Sequence, residues 1–138
     1  MSGQLSGNPM RITLILCSPP DDPLIGVEPF MPLSLPLLAA AAPEHDYTFL
    51  DLLQASARID FESRPDVVGI SLRNSAEERA YAIADEFRRR GVKVVLGGAQ
   101  ASVVPHRAIE HANAVVVGEG ESLWPILLDD LAKGQLKE

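Results

Sequence analysis

The feature that most constrains this chain is the alternation of short, β-branched apolar runs with segments of helical period. Residues 11–17 (RITLILC), 47–52 (YTFLDL), 66–72 (DVVGISL), 92–97 (VKVVLG) and 114–118 (AVVVG) each read as strands. Three of these runs are almost continuously apolar, as strands are when helices cover both faces of a parallel sheet.

The intervening segments carry helix ends. Ser75 and Glu78 match a capping box, and Ala76, Ala80, Ile83, Ala84 and Phe87 then share one face. Arg88, Arg89 and Arg90 fall in the last turn, where cations suit the helix dipole, and Gly91 supplies a terminating residue. A last helix over Glu121 to Lys133 places Trp124, Leu127, Leu128 and Leu131 on one face, carries Pro125 in its first turn and stops at Gly134. Pro32 to Ala42 and Pro105 to His111 read as shorter helices, and residues 51–63 are too polar and irregular to assign. The predicted fold is α/β: a three-layer, flavodoxin-like (Rossmann-like) sandwich with a five-stranded parallel sheet of order 2-1-3-4-5 and right-handed crossovers. In such a sheet, ligands bind beyond the carboxyl ends of the strands. The loops that matter therefore follow Cys17, Leu72, Gly97 and Gly118.

Composition removes several function classes. A net charge of −7 disfavours nucleic acid, since phosphate contacts need cations. With Cys17 the only cysteine, the chain can form neither an internal disulfide nor a thiolate-held iron–sulfur cluster. The first ten residues lack the order of a secretory signal, and the apolar stretch 33–42 is too short to span a bilayer. A cytoplasmic protein with neither membrane nor nucleic-acid partner is expected.

The strand-end loops are informative one by one. After the first strand, Ser18 is followed by Pro19, Pro20, Asp21, Asp22 and Pro23. Prolines have no N–H with which to wrap a flavin phosphate, which argues against a flavodoxin. A phospho-receiver needs an aspartate at the end of the third strand, where this chain has Ser71, Leu72 and Arg73. Ser71, Arg73 and Asn74 offer donors to a polar ligand, and equally suit the approach to the next helix; Ser75 is better read as its cap. Gly97 and Gly98 remove two side chains at the end of a buried strand, making either a tight turn or room for a bulky group. The Gly118-Glu119-Gly120-Glu121 loop is a poor dinucleotide signal, having no third glycine and two carboxylates that would repel a pyrophosphate. His45 and His111 fall at the opposite end of the strands, and His106 starts a short helix on the ligand side. No spacing assembles a nucleophile and base, and Cys17 reads as a buried strand residue. This chemistry is that of a binding domain.

Residues 66–74 (DVVGISLRN), 87–98 (FRRRGVKVVLGG) and 114–121 (AVVVGEGE) together resemble the cobalamin-binding domain at the amino terminus of cobalamin-dependent radical S-adenosylmethionine enzymes. The Pro19-Pro20 pair and residues 35–41 (LPLLAAA) look like the same family, so the resemblance spans about residues 10–134. It implies that the cobalamin nucleotide tail runs beside the sheet and that the corrin lies over the strand ends. Ser71, Leu72 and Arg73 would then stand near the tail, Gly97 and Gly98 along the strand edge it packs against, and Gly118, Glu119, Gly120 and Glu121 at the rim, with Asn74 and Ser102 as lesser candidates.

Two departures sharpen that expectation. The wider cobalamin-binding family ligates cobalt through an Asp-x-His-x-x-Gly motif after the first strand, and residues 18–26 contain no histidine, so cobalt would have no histidine ligand from this chain. The radical enzymes also carry a Cys-x-x-x-Cys-x-x-Cys motif in a following barrel, which one cysteine cannot supply. The expected organisation is a flexible amino terminus (1–9), the cobalamin-binding domain (10–134) and a tail (135–138) leading toward a radical domain outside this chain. Cobalamin would be the cofactor, and a radical S-adenosylmethionine domain, in cis or in trans, the partner that holds the iron–sulfur cluster and S-adenosylmethionine. The chain alone would not turn over. The alternative is a cofactor-free regulatory or interaction domain of the same fold.

Overall fold

The computed structural model of the chain describes residues 9–17, 34–52, 58–72, 76–97, 105–116, 120 and 122–134. Strands β1 (Arg11–Cys17), β2 (Asp46–Asp51), β3 (Val67–Leu72), β4 (Lys93–Gly97) and β5 (Ala114–Val115) form one sheet in the order β2-β1-β3-β4-β5. Every pairing is parallel, as predicted. The described helices are α1 (Ser34–Ala41), α2 (Glu77–Arg89), α3 (Pro105–Ala108) and α4 (Trp124–Lys133).

Strand alternation sorts the apolar residues onto two faces. Ile15, Cys17, Val68, Ile70, Val94 and Leu96 pack with Ala80, Ile83, Ala84 and Phe87 of α2. Ile12, Leu14, Leu16, Val67, Val95 and Ala114 pack on the other face with Trp124, Leu128 and Leu131 of α4. The near-continuous apolar strands are thus explained, because both sets of side chains are buried. The strand ends match the sequence reading to within one residue, except that β5 closes at Val115; Val116 carries its ladder one bond further by donating to Leu96 (2.8 Å), and residues 117 and 118 lie outside the described set.

The helix ends differ more. Ala76, fully buried, precedes α2 and caps it without a side-chain bond, placing Glu78 second in the helix where a capping box needs it third. Burial of Ala76 fixes the entry, and Ser75 lies outside the described residues. The other end is as expected. Gly91 has φ +86°, its N–H bonds to the Arg88 carbonyl (3.0 Å), and the Val92 N–H reaches back to Phe87 (3.0 Å), closing a Schellman motif. Helix α4 begins three residues later than predicted and ends at Gly134, φ +68°. In the segment left unassigned, Asp60 caps a 3-10 turn, Phe61–Ser63, by accepting from the Glu62 N–H (3.0 Å). Among the described residues no helix is long and apolar enough to cross a membrane.

Candidate functional site

The register of the sheet places the predicted residues. On the face shared with α1 and α4, Leu14, Gly69, Val95 and Ala114 stand in one row across β1, β3, β4 and β5. The next row toward the carboxyl ends is Leu16, Ser71 and Gly97. Ser71 and Gly97 are therefore direct neighbours, both half-buried, on the same face and at the end of the sheet where the fold admits a ligand.

Gly97 does not have positive φ, so the tight-turn explanation fails for it. Among the described residues, a Cβ built there would meet only Val116, at 3.7 and 3.8 Å, which is ordinary contact. Neither its backbone conformation nor packing against the described residues requires glycine at this position. Among the described residues, no side chain fills the position beside Ser71 at this strand end. Gly120 is different: a Cβ there would approach Leu38 of α1 at 3.2 Å and Val116 at 3.5 Å, so this glycine lets α1 lie close. Its carbonyl accepts from the Trp124 N–H (2.8 Å) and so fixes the start of α4. The structure brings Ser71, Gly97 and Gly120 to one end of the sheet. Leu72 completes β3, while Arg73, Asn74, Gly98, Ser102, Gly118, Glu119 and Glu121 lie outside the described residues.

The remaining chemistry near this end is subdued. Cys17 is buried, and that burial pushes its thiol up to about 11 against the opposing charge of Arg79, so it is no nucleophile at neutral pH. His45 accepts from the Met10 N–H (3.0 Å) just before β2, and His111 lies against Asp85 (3.0 Å) and stacks on Tyr81 just before β5. Both are at the amino-terminal edge, as the sequence placed them; His106 is exposed on α3. Among the described residues no group of three or more His, Cys, Asp or Glu could hold a metal.

Sequence reasoning treated Trp124 only as core and did not connect it to the site. Its indole lies over Gly69, and a Cβ at Gly69 would come within 3.4 Å of the ring and 2.8 Å of Leu14 Cδ2. The indole N–H donates to Tyr47 Oη (3.1 Å), and Tyr47 donates to the Ala42 carbonyl (2.8 Å). An isolated glycine inside the β3 run was the available signal, since such a glycine often marks a close approach.

A parallel three-layer α/β domain whose only predicted chemistry is room and polar donors at its strand ends is a ligand-binding domain of the doubly wound class. The chain belongs to the B12-binding domain family, whose model matches residues 28–128. Bacteriochlorophyllide d C-8(2)-methyltransferase of Chlorobaculum tepidum is 41% identical over 111 residues, 80% of this chain and 25% of that protein. Bacteriochlorophyllide d C-12(1)-methyltransferase of the same organism is 34% identical over 108 residues, 78% of this chain and 24% of that one. In fold, the chain is similar to the cobalamin-dependent S-adenosylmethionine radical enzyme OxsB solved with aqua-cobalamin and S-adenosylmethionine bound, with TM-score 0.75 and 19% identity over 94% of this chain and 19% of that one. The chain spans about a quarter of the length of the curated relatives it matches. The domain is thus similar to that of cobalamin-dependent radical S-adenosylmethionine enzymes, and its cofactor is cobalamin. The Cβ position of Gly97, unfilled by any described residue and beside half-buried Ser71, suits such a group.

Proposed function

We propose that this chain is the cobalamin-holding part of a radical S-adenosylmethionine methyltransferase, either as a segment of it (residues 10–134) or as a separate partner. The observation that carries the reading is Gly97, a glycine at a strand end that neither a positive φ nor a close neighbour among the described residues makes necessary. Ser71 would hydrogen-bond the nucleotide tail, and the bare edge of Gly97 and Gly98 would let it lie against the backbone. Leu72, Arg73, Asn74 and Ser102 would flank the tail, while Gly118, Glu119, Gly120 and Glu121 would form the rim under the corrin. Bound cobalamin supplies methyl-group or electron transfer at cobalt, and the hard chemistry belongs to it. This chain binds, orients and shields, and gives cobalt no histidine: His45 and His111 are engaged at the amino-terminal edge of the strands, and residues 18–26 have none.

The identities to bacteriochlorophyllide methyltransferases favour methyl transfer to a large planar substrate for the whole enzyme. Anaerobic titration of the folded chain with hydroxocobalamin, followed by absorbance, tests the reading. A saturable change at one equivalent is the expected result. A folded chain that binds no corrinoid would leave the cofactor-free interaction domain as the better account.

A further inference from the structure

We infer that the cleft at the amino-terminal edge of β1 and β2 is a further binding site, for a small zwitterion with an apolar side chain, that is, a free α-amino acid. This cleft is separate from the candidate cobalamin end. It lies on the face of the sheet that carries α2, whereas Ser71 and Gly97 share the opposite face at the other end of the strands.

The cleft has a volume of about 390 Å³, near the lower end of the roughly 300–1,000 Å³ of small-molecule sites. Parallel register builds its sheet wall from side-by-side pairs: Arg11 with Asp46, Thr13 with Thr48, and Ile15 with Leu50. Polarity therefore falls in steps from the strand starts inward, from charges to hydroxyls to hydrocarbon. Half-buried Leu50 and Ile59, the latter on the connection to β3, supply the apolar wall, and Ile15 is fully buried.

The charged pair is the informative one. Arg11 and Asp46 are neighbours in register with opposite charges, yet no ion pair joins them. The Arg11 guanidinium turns instead to the carbonyl of Arg64, to which its Nη2 donates at 2.6 Å. Among the described residues Arg64 is the one non-glycine with positive φ, 45°, a strained conformation held where its carbonyl fixes Arg11. A carbonyl orients the guanidinium without neutralising it. Among the described residues, the Asp46 carboxylate has no hydrogen-bond or ion-pair partner, and neither have the hydroxyls of Thr13 and Thr48. An unpaired anion and an oriented cation on adjacent strands, with hydroxyls and an apolar wall beyond, complement the ammonium, carboxylate and side chain of an amino acid. Arg58 and Asp60, which also line the cleft, balance each other in charge, so neither a simple anion nor a simple cation is favoured.

The test is an amide NMR titration of the full chain with L-leucine and with three relatives that each lack one feature. Leucinamide has no carboxylate, N-acetyl-L-leucine has no ammonium, and glycine has no apolar side chain. Saturable shifts centred on Asp46, Thr48 and Ile59 are expected with L-leucine, and each relative should bind at least about tenfold more weakly. Asp46→Asn should weaken L-leucine about tenfold, and its urea midpoint should match wild type because the lost charge has no partner in the fold. Glu44→Gln removes an exposed carboxylate outside the cleft and should leave L-leucine affinity unchanged. No saturable shift up to about 10 mM L-leucine would overturn the inference, as would shifts centred elsewhere. So would equal binding of any relative, unchanged affinity in Asp46→Asn, or an equal loss in Glu44→Gln. The cobalamin reading stands or falls separately, on the hydroxocobalamin titration.

Discussion

The indole N–H of Trp124 donates to the Tyr47 hydroxyl at 3.1 Å across 77 residues of sequence, and the Tyr47 hydroxyl in turn donates a hydrogen bond to the carbonyl of Ala42 just after α1. One phenol thereby ties α4 to β2 and to the end of α1, the two helices that share the cleft face. Burial pushes the Tyr47 hydroxyl above its ordinary range, the bond from Trp124 opposes that rise, and Glu44 adds to it. Tyr47→Phe leaves the Trp124 N–H and the Ala42 carbonyl without these partners, and a loss of about 1–2 kcal/mol is expected in urea unfolding. Trp124 is the sole tryptophan, so its emission reads this directly: a shifted native spectrum is expected for Tyr47→Phe.

Gly97 separates binding from stability. Since its φ is ordinary and the nearest atoms to a Cβ are at 3.7 and 3.8 Å, Gly97→Ala should fold with a melting temperature close to wild type. Gly97→Leu fills the space beside Ser71 and should weaken hydroxocobalamin by about a hundredfold or more, some 2.7 kcal/mol. The contrast is Gly91→Ala, where φ is +86° and the effect should be reversed: a cost of about 1 kcal/mol with unchanged corrinoid affinity. Thermal melts and dialysis on the same samples decide between these patterns.

The fold was legible because its signals are local or statistical. Continuous apolar runs such as Val67 to Ile70 announce strands buried on both faces, and the Arg-rich last turn followed by Gly91 announces a helix end. Helix starts were less legible, since the entry of α2 is fixed by burying Ala76, a tertiary effect that a cap pattern does not report. The 3-10 turn at Phe61 escaped because three residues have no period. Within the site, the missing side chain at Gly97 was legible from residue type and strand position. The adjacency of Ser71 and Gly97 and the seat of Trp124 on Gly69 depend on register between distant segments, which composition and spacing do not encode.

Cys17 gives a pH-dependent prediction. Its folded thiol, raised to about 11 mainly by burial, lies above the unfolded value of 9.0, so the unfolded chain releases this proton first as pH rises. The contribution is fully present below pH 9 and is lost between pH 9 and about 11, so stability should fall across that window. Cys17→Ala should flatten part of the decline and leave the remainder to Tyr47 and Tyr81, whose hydroxyls are also raised chiefly by burial. At pH 8, iodoacetamide should label Cys17 only as fast as the chain opens, and labelling in urea should be complete. Rapid labelling of the native chain would contradict the burial.

The connection between β2 and β3 tests whether packing or charge holds a short turn. Phe61 lies against Phe87 with ring centroids 4.7 Å apart, and the Arg90 guanidinium sits 5.6 Å over its ring while also bonding Glu62 at 2.9 Å. Glu62 is 78% exposed, so water screens its pairing with Arg90, although the hydrogen bond from Arg90 does hold its carboxyl below the usual range. Phe61 is half-buried against the α2 core, and its area is the larger effect. Phe61→Ala should therefore cost about 1–2 kcal/mol, less than a fully buried phenylalanine. Glu62→Gln should leave the unfolding midpoint unchanged within error at moderate salt. If Glu62→Gln proved the more damaging, the turn would be held by charge, and the loss would then shrink as salt was raised.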